Sequence, residues 1–280
     1  MIATYHAHTD FCDGKDSPDA MADAAFEAGY RMLGFSAHAP VPVPSPGNLS
    51  LDQVAPYADA VRASARRYEG RMEILAGLEI EWIPDLGIPS EAGYADVPID
   101  YRIGSLHFAR LSSTELFSVD GPEASFRRGL EFGYGGDGIR FYREYYRELG
   151  NLVRAGGFQI LGHLDILKMH NRNARFFDEG SSDYLSAAFE VVESIRDTGI
   201  AVELNTGGLA RGKTGEPYPS MPILKELKRL GIPIVIGADA HAVGHLDLAW
   251  RRIGLEYARQ AGYEELAVLS RTGWTTGPLE

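Results

Sequence analysis

Nine side chains that can hold a divalent cation recur along the chain: His6, His8, Asp13, His38, Glu79, His107, His163, Asp239 and His241. Their donor atoms are imidazole nitrogens and carboxylate oxygens, a set that suits Zn, Mn or Fe(II). No thiolate belongs to the pattern, which argues against a structural zinc cage. Nine ligands are too many for one ion, whereas bridging carboxylates let them serve two or three. In an extended strand residues i and i+2 face the same side, so His6 and His8 can bind one cation together, as can Asp239 and His241. Taken singly, each has an ordinary reading: Glu79 as a structural ion-pair member, His38 as a turn cap, His107 as a half-buried ring beside Phe108. Their common placement decides, and that depends on the elements that carry them.

The chain reads as strand and helix in alternation. Met1–His8 is a short strand that runs into the first histidines. Ser17 and Pro18 then start an alanine-rich helix that Gly29 closes. Arg31–Ser36 is the second strand, followed by a proline-rich loop and a helix from about Leu51 to Tyr68 capped by Ser50. Glu73–Glu81 and Tyr101–Leu106 are the third and fourth strands. From Ala109 to Gly138 the chain reads as irregular, polar and glycine-rich, a long insertion of the kind that forms lids or substrate walls. Helix returns over Ile139–Ala155, Asp183–Thr198, Pro222–Leu230 and about Leu248–Ala261. Strands are expected at Phe158–Gly162, Ala201–Leu204 and Pro233–Gly237, with a small element at the end. Strict alternation implies a parallel sheet with right-handed crossovers. No glycine-rich phosphate fingerprint follows the first strand, so a distorted seven-stranded (β/α) TIM-like barrel over residues 1–280, as one domain, is expected in preference to an open sheet.

On this map the candidate ligands fall at or just past the carboxyl ends of successive strands. In an α/β barrel those ends share one face, where active sites are built. Six of the eight histidines obey the rule. His170 and His245 do not, and read as surface residues or as supports behind the ligands.

Bulk composition sets outer limits. With 45% hydrophobic and 24% charged residues, the chain resembles an ordinary globular protein. Its formal net charge of −12 disfavours a long nucleic-acid partner, which needs a basic stripe. A small phosphorylated substrate remains compatible if bound cations reverse the sign locally. Cys12 is the single cysteine, so no internal disulfide forms and a cytoplasmic setting fits. The first ten residues lack the basic and apolar regions of a signal peptide, and no apolar run is long enough for a membrane helix.

The runs HAHTDFCDG, SAHAP, GLEIEW, GSLHF, GHLD, ELNTGG and GADAH occur in that order along nearly the whole chain. Together they resemble the motif set of the polymerase-and-histidinol-phosphatase (PHP) phosphoesterases, in particular the histidinol-phosphate phosphatase branch. The resemblance implies a distorted seven-stranded barrel, a trinuclear metal centre and hydrolysis of L-histidinol phosphate in histidine biosynthesis. Carried over by motif, His6, His8, Glu79 and Asp239 hold a first cation. Glu79 bridges to a second, completed by His107 and His163. Asp13, His38 and His241 take a third, with Asp10 and Asp16 as rivals to Asp13. One departure is Ala37, where many relatives carry an acidic residue before the histidine.

Closely spaced cations can generate a nucleophile from water near neutral pH, and the charge on the phosphoryl oxygens calls for an arginine. Arg211, in NTGGLARGK after the sixth strand, is the first choice for contacting substrate; Arg172, Arg175 and Lys168 are weaker ones. Asn205 is placed to orient a substrate oxygen or to support its loop. Asp239 or a water on the metal is the candidate for helping the alkoxide leave. An acidic residue of the insertion (Glu115, Asp120, Glu123 or Glu131) would meet the substrate amine. Three rival functions remain: the same chemistry on another small phosphoester such as a nucleotide, a metal-dependent amidohydrolase barrel, and a metal-binding protein without activity.

Overall fold

The computed structural model describes residues 1–279. Its strands and helices follow in the order β1 (Ala3–Thr4), α1 (Pro18–Ala28), β2 (Met32–His38), α2 (Val54–Arg67), β3 (Glu73–Glu81) and β4 (Tyr101–Ser105). A hairpin, β5 (Phe108–Arg110) and β6 (Leu116–Ser118), precedes α3 (Glu123–Tyr134) and α4 (Gly138–Ala155). The chain continues through β7 (Ile160–Leu161), α5 (Ser182–Ile195), β8 (Ala201–Asn205), the short α6 (Gly207–Ala210), α7 (Met221–Arg229) and β9 (Ile234–Gly237). It ends with α8 (Leu248–Gln260) and the hairpin β10 (Glu265–Ser270) and β11 (Gly273–Pro278).

The seven long-range strands pair in parallel in the order β1-β2-β3-β4-β7-β8-β9. The ends of this sheet meet past β1 and β9, where Ala7 bridges Ala240. There His8 N donates to Ala240 O at 2.8 Å and Ala240 N to His6 O at 3.2 Å. The result is the nearly closed seven-stranded barrel that the alternation called for. The expected first strand, Met1–His8, is regular only over Ala3–Thr4, because beyond Thr4 the chain leaves a regular ladder to bridge Ala240.

Helix starts follow from local chemistry. Ser17 Oγ accepts from Ala20 N, Pro18 opens α1, and Gly29 at φ 100° closes it in the left-handed region. Ser50 and Gln53 form a capping box on a single turn of 3₁₀ helix before α2.

Two cores flank the barrel wall. The larger lies between strands and helices. The smaller fills the barrel, where Ala3, Tyr5, Met32, Leu75, Ile103 and Val235 meet Ala267–Leu269 of β10. The terminal hairpin therefore packs into the barrel's apolar core, and Leu269 N donates to Tyr5 Oη at 2.8 Å. Above this apolar layer the Tyr101 ring crosses the lumen, its hydroxyl donating to the carbonyls of Phe35 and Tyr5. Only glycine fits beside it: a Cβ at Gly77 would stand 2.3 Å from the ring and one at Gly34 would stand 2.4 Å from its oxygen. Tyr101 thus divides an apolar base from the polar carboxyl face.

The segment Ala109–Gly138 departs from expectation. It is not irregular but carries the end of the β5–β6 hairpin and all of α3. Phe126, Leu130 and Tyr134 recur every four residues as one buried stripe, and Phe126 and Tyr134 pack on Phe141 of α4 with centroids 5.4 and 5.3 Å apart. Gly129 leaves room for Phe117, whose ring would lie 2.3 Å from an added Cβ. The exposed charged residues between those positions hide the helical period in the sequence.

Candidate metal centre

All nine candidate ligands meet at the carboxyl face of the barrel. Glu79 is their hub. It lies near the end of the apolar strand β3, and its register partner on β2 is His38. Glu79 Oε2 lies 3.2 Å from His6 Nε2, 3.1 Å from His38 Nδ1 and 3.5 Å from His8 Nε2. Glu79 Oε1 lies 3.0 Å from His163 Nε2 and 3.5 Å from His107 Nε2, and it accepts from Ser105 Oγ at 2.6 Å. Four sets of ligand atoms gather within 4.8 Å of one another: His8, Asp13, His38 and His241; His6, Glu79 and His163; His6, His8 and Asp239; His38, Glu79 and His107.

Asp13 is the acid of its loop that reaches this cluster, 3.1 Å from His241 Nε2, 3.4 Å from His8 Nδ1 and 3.7 Å from His38 Nε2. Its rival Asp16 instead accepts from Val243 N. Those imidazoles hold the Asp13 carboxyl far below its ordinary value although burial opposes this.

Two carboxylates that the sequence reading did not single out orient the rings. Glu203 Oε1 faces His6 Nδ1 at 2.8 Å, while its Oε2 accepts from His163 N and Asn205 Nδ2. Glu81 faces His107 Nδ1 at 2.7 Å and accepts from His107 N. Both are buried glutamates in strands, two residues from a ligand or a loop anchor. That placement was the available signal, since an unpaired buried carboxylate is costly. With the Nδ1 protons of His6 and His107 assigned to these acids, their Nε2 lone pairs point at Glu79.

Acceptor thus faces acceptor across the centre, an arrangement that asks for cations between them. A further sign is His8 Nε2, buried and without a hydrogen-bond partner among the described residues, near Glu79 Oε2 and Asp239 Oδ1 at 3.5 and 3.6 Å. The field agrees. Burial opposes charge on His6, yet Glu203, Glu79 and Asp239 outweigh it and raise this imidazole well above its ordinary value. Burial likewise opposes the ionised form of Glu79, but His6, His38 and His107 keep it well below the usual carboxylate range. The donor set fits divalent cations of the Zn, Mn and Fe class.

Asp239 follows β9 at φ 46°, a strained backbone for a residue other than glycine. Arg211 stabilises this turn: its guanidinium donates to Asp239 O at 2.7 Å and Oδ2 at 2.8 Å, and also faces His241 Nδ1 at 2.9 Å. The arginine therefore stands on the face that carries the candidate ligands. Asn205 is fully buried. Its amide donates to Glu203 and Asp239 and accepts from Gly207 N, which places it beneath Asp239 as a support. Cys12 Sγ lies 3.5 Å from His8 Nδ1. His245 Nδ1 accepts from His241 N, and His170 bonds Gly121 O. Lys168 is turned away into a buried network with Asp165 and Glu216.

A seven-stranded parallel barrel that gathers imidazoles and carboxylates at one face defines a metal-centred α/β-barrel protein. The chain belongs to the PHP family: the PHP domain model matches residues 4–207. It is 30% identical over 246 residues to the probable histidinol-phosphatase of Deinococcus radiodurans, covering 86% of each chain. With the histidinol-phosphatase of Bacillus subtilis it shares 25% identity over 265 residues, 88% of this chain and 95% of the other. The fold matches that of the histidinol phosphate phosphatase from Lactococcus lactis complexed with Zn, L-histidinol and phosphate. That match has a TM-score of 0.72 at 21% identity and covers 98% of each chain. Among the described residues no helix is long and apolar enough to cross a membrane.

Proposed function

We propose that this protein is a metal-dependent histidinol-phosphatase, hydrolysing L-histidinol phosphate to L-histidinol and phosphate. The observation that carries the reading is the gathering of all nine ligands at one face, five of them imidazoles around Glu79, in a chain 30% identical to a protein named for that activity. His6, His8, Glu79 and Asp239 would hold one cation; Glu79, His107 and His163 a second; Asp13, His38 and His241 a third. When bound, such ions supply Lewis acidity toward phosphate oxygens and make water nucleophilic near neutral pH.

The chain's own groups do the rest. Glu203 and Glu81 fix His6 and His107 in the tautomers that turn Nε2 inward. Arg211 is a cation held against two of the candidate ligands, Asp239 and His241, and its fork suits the oxygens of a phosphoryl group as well as Asp239. Burial opposes ionisation of Asp239, but Arg211, His6 and His241 keep its carboxyl well below the ordinary range, so it enters the reaction as a carboxylate. Oδ2 is taken by Arg211 and Asn205. Oδ1, 3.8 and 3.6 Å from the Nε2 atoms of His6 and His8, is the oxygen through which Asp239 would hold its cation. As the oxygen of water bonds to phosphorus, the P–O ester bond breaks, its electron pair goes to the alkoxide, and the proton released by the water follows.

The test is phosphate release from L-histidinol phosphate beside AMP and p-nitrophenyl phosphate, with added Mn²⁺ or Zn²⁺, after chelation, and in His107→Ala. Preference for histidinol phosphate that is lost on chelation and in the variant supports the reading. Metal-dependent turnover of another ester alone would keep the chemistry and reject the substrate.

A further inference from the structure

We propose that the base of the barrel, at the end opposite the candidate metal centre, carries a separate anion site that takes a small polyphosphate. Five arginines, Arg31, Arg62, Arg66, Arg71 and Arg271, line a cleft of about 630 Å³ there. They come from distant parts of the chain: Arg31 just before β2, Arg62 and Arg66 on α2, Arg71 just before β3, and Arg271 in the turn between β10 and β11. Met32 and Glu73, which start β2 and β3, are register partners, and six residues further on so are His38 and Glu79. The cleft and the cluster of ligands therefore stand at opposite ends of the same two strands, roughly 20 Å apart at about 3.3 Å per residue.

Acids outnumber bases in this chain by 39 to 27, so a carboxylate is usually at hand for an arginine. Arg67 shows the rule, with Asp19 and Asp23 at 2.8 and 2.9 Å from its guanidinium. Its neighbour Arg66 has no carboxylate within ion-pair distance among the described residues, and neither has Arg31 or Arg71. Arg31 and Arg71 instead share one aromatic ring: their guanidinium carbons stand 6.0 and 5.1 Å from the centroid of Phe26. Arg71 also stands 4.9 Å from the centroid of Tyr68. Glu69 and Glu73 line the cleft too, yet neither pairs with these three, and Glu73 accepts from Arg271 N at 3.0 Å. The last turn of a helix attracts cations, which accounts for Arg66 at the end of α2 but not for Arg31 or Arg71, which lie outside it. Like charges gathered on one ring repel one another, and the arrangement becomes favourable once an anion from solution enters.

The donors define which anion. A guanidinium presents a planar fork that meets phosphate oxygens two at a time. A single phosphoryl group carries about −1.5 to −2 at neutral pH, less than three unpaired guanidinia ask for, whereas linked phosphoryl groups bring matching charge and spread it over several forks. Arg62 and Arg271 are already held as walls. Arg62 lies 3.6 Å from Asp59 and donates to Pro98 O. Arg271 lies 3.6 Å from Asp100 and donates to Ile74 O at 2.6 Å. The ligand class is therefore a chain of two or more phosphoryl groups, free or at the end of a nucleotide.

The experiment is equilibrium dialysis of radiolabelled pyrophosphate against three metal-loaded proteins, the wild type, His107→Ala and the double variant Arg31→Ala/Arg66→Ala, with metal content read before and after. One bound equivalent should survive in His107→Ala and weaken roughly 100-fold in the double variant, about tenfold for each guanidinium removed. The double variant should keep the wild-type rate of ester hydrolysis and the wild-type circular dichroism; Arg66→Glu, at an exposed position on α2, repeats the test if it does not. Competition by ATP as strong as by pyrophosphate assigns the site to the phosphate chain of a nucleotide, and weak competition by ATP assigns it to free polyphosphate. Equal competition by citrate would overturn the ligand class. Pyrophosphate binding that is unchanged in the arginine variants, or that disappears in His107→Ala, would overturn the site itself, since the anion would then sit at the metal centre.

Discussion

Glu203→Gln is the sharpest probe of how the centre is assembled. The side chain is 1% exposed, and glutamine replaces it without a change in volume, so no cavity opens. Glu203 Oε2 serves two N–H donors, His163 N at 3.0 Å and Asn205 Nδ2 at 2.9 Å. The single amide oxygen will settle there, which turns the NH₂ group toward His6 Nδ1. To accept from it, His6 must move its proton to Nε2, the atom 3.2 Å from Glu79. A cation at that position must then expel a proton or break the new hydrogen bond. Partners of this kind typically carry 10- to 100-fold in metal affinity, about 1.4 to 2.7 kcal/mol. Competition of the stripped protein with a chromophoric chelator for Zn²⁺ measures it, with circular dichroism and the urea midpoint as folding controls. One bound equivalent should weaken by that factor. A folded variant that binds every equivalent as tightly as the wild type would refute the tautomer argument.

Two further outcomes follow from groups outside the centre. Lys168 is buried with its ammonium 3.0 Å from Asp165 and 2.7 Å from Glu216, and Asp165 is wholly buried. Lys168→Met should destabilise the protein by about 3 to 5 kcal/mol in urea at neutral pH, because it strands a buried carboxylate. A loss below about 1 kcal/mol would contradict this. Glu148 accepts from Trp82 Nε1 at 2.9 Å and from Arg110 and Asn151; burial opposes its ionisation, but these bonds hold its carboxyl below the ordinary value. A depressed folded value means stability present above the unfolded value of 4.5 and lost as pH falls through the folded one. Below about pH 4.5 the wild type should therefore lose stability that Glu148→Gln, already without it, does not lose. Parallel acid titrations of the two proteins would show that Glu148 is irrelevant.

Much of this protein was legible in one dimension. The alternation of strand and helix dictated a parallel sheet, because a parallel crossover needs a helix to span it. Placement of His6, His8, Glu79, His107, His163, Asp239 and His241 at strand ends brought them to one face, because parallel strands share a direction. Caps at Ser17 and Gly29 are local and were read locally. The helix Glu123–Tyr134 was missed because its apolar stripe is narrow and has meaning only once Phe117 and Phe141 lie against it.

Other decisions belonged to the tertiary structure alone. Choosing Asp13 over Asp16 required knowing which carboxylate meets the imidazoles and which caps Val243. Glu203 and Glu81 gain their roles from residues up to 197 positions away. Asn205, expected near substrate or in its own loop, proved to support Asp239, because its amide is spent on buried partners. Strand direction and local propensity are carried by near neighbours in the chain. Which charge is neutralised and which is left waiting depends on groups that only folding brings together.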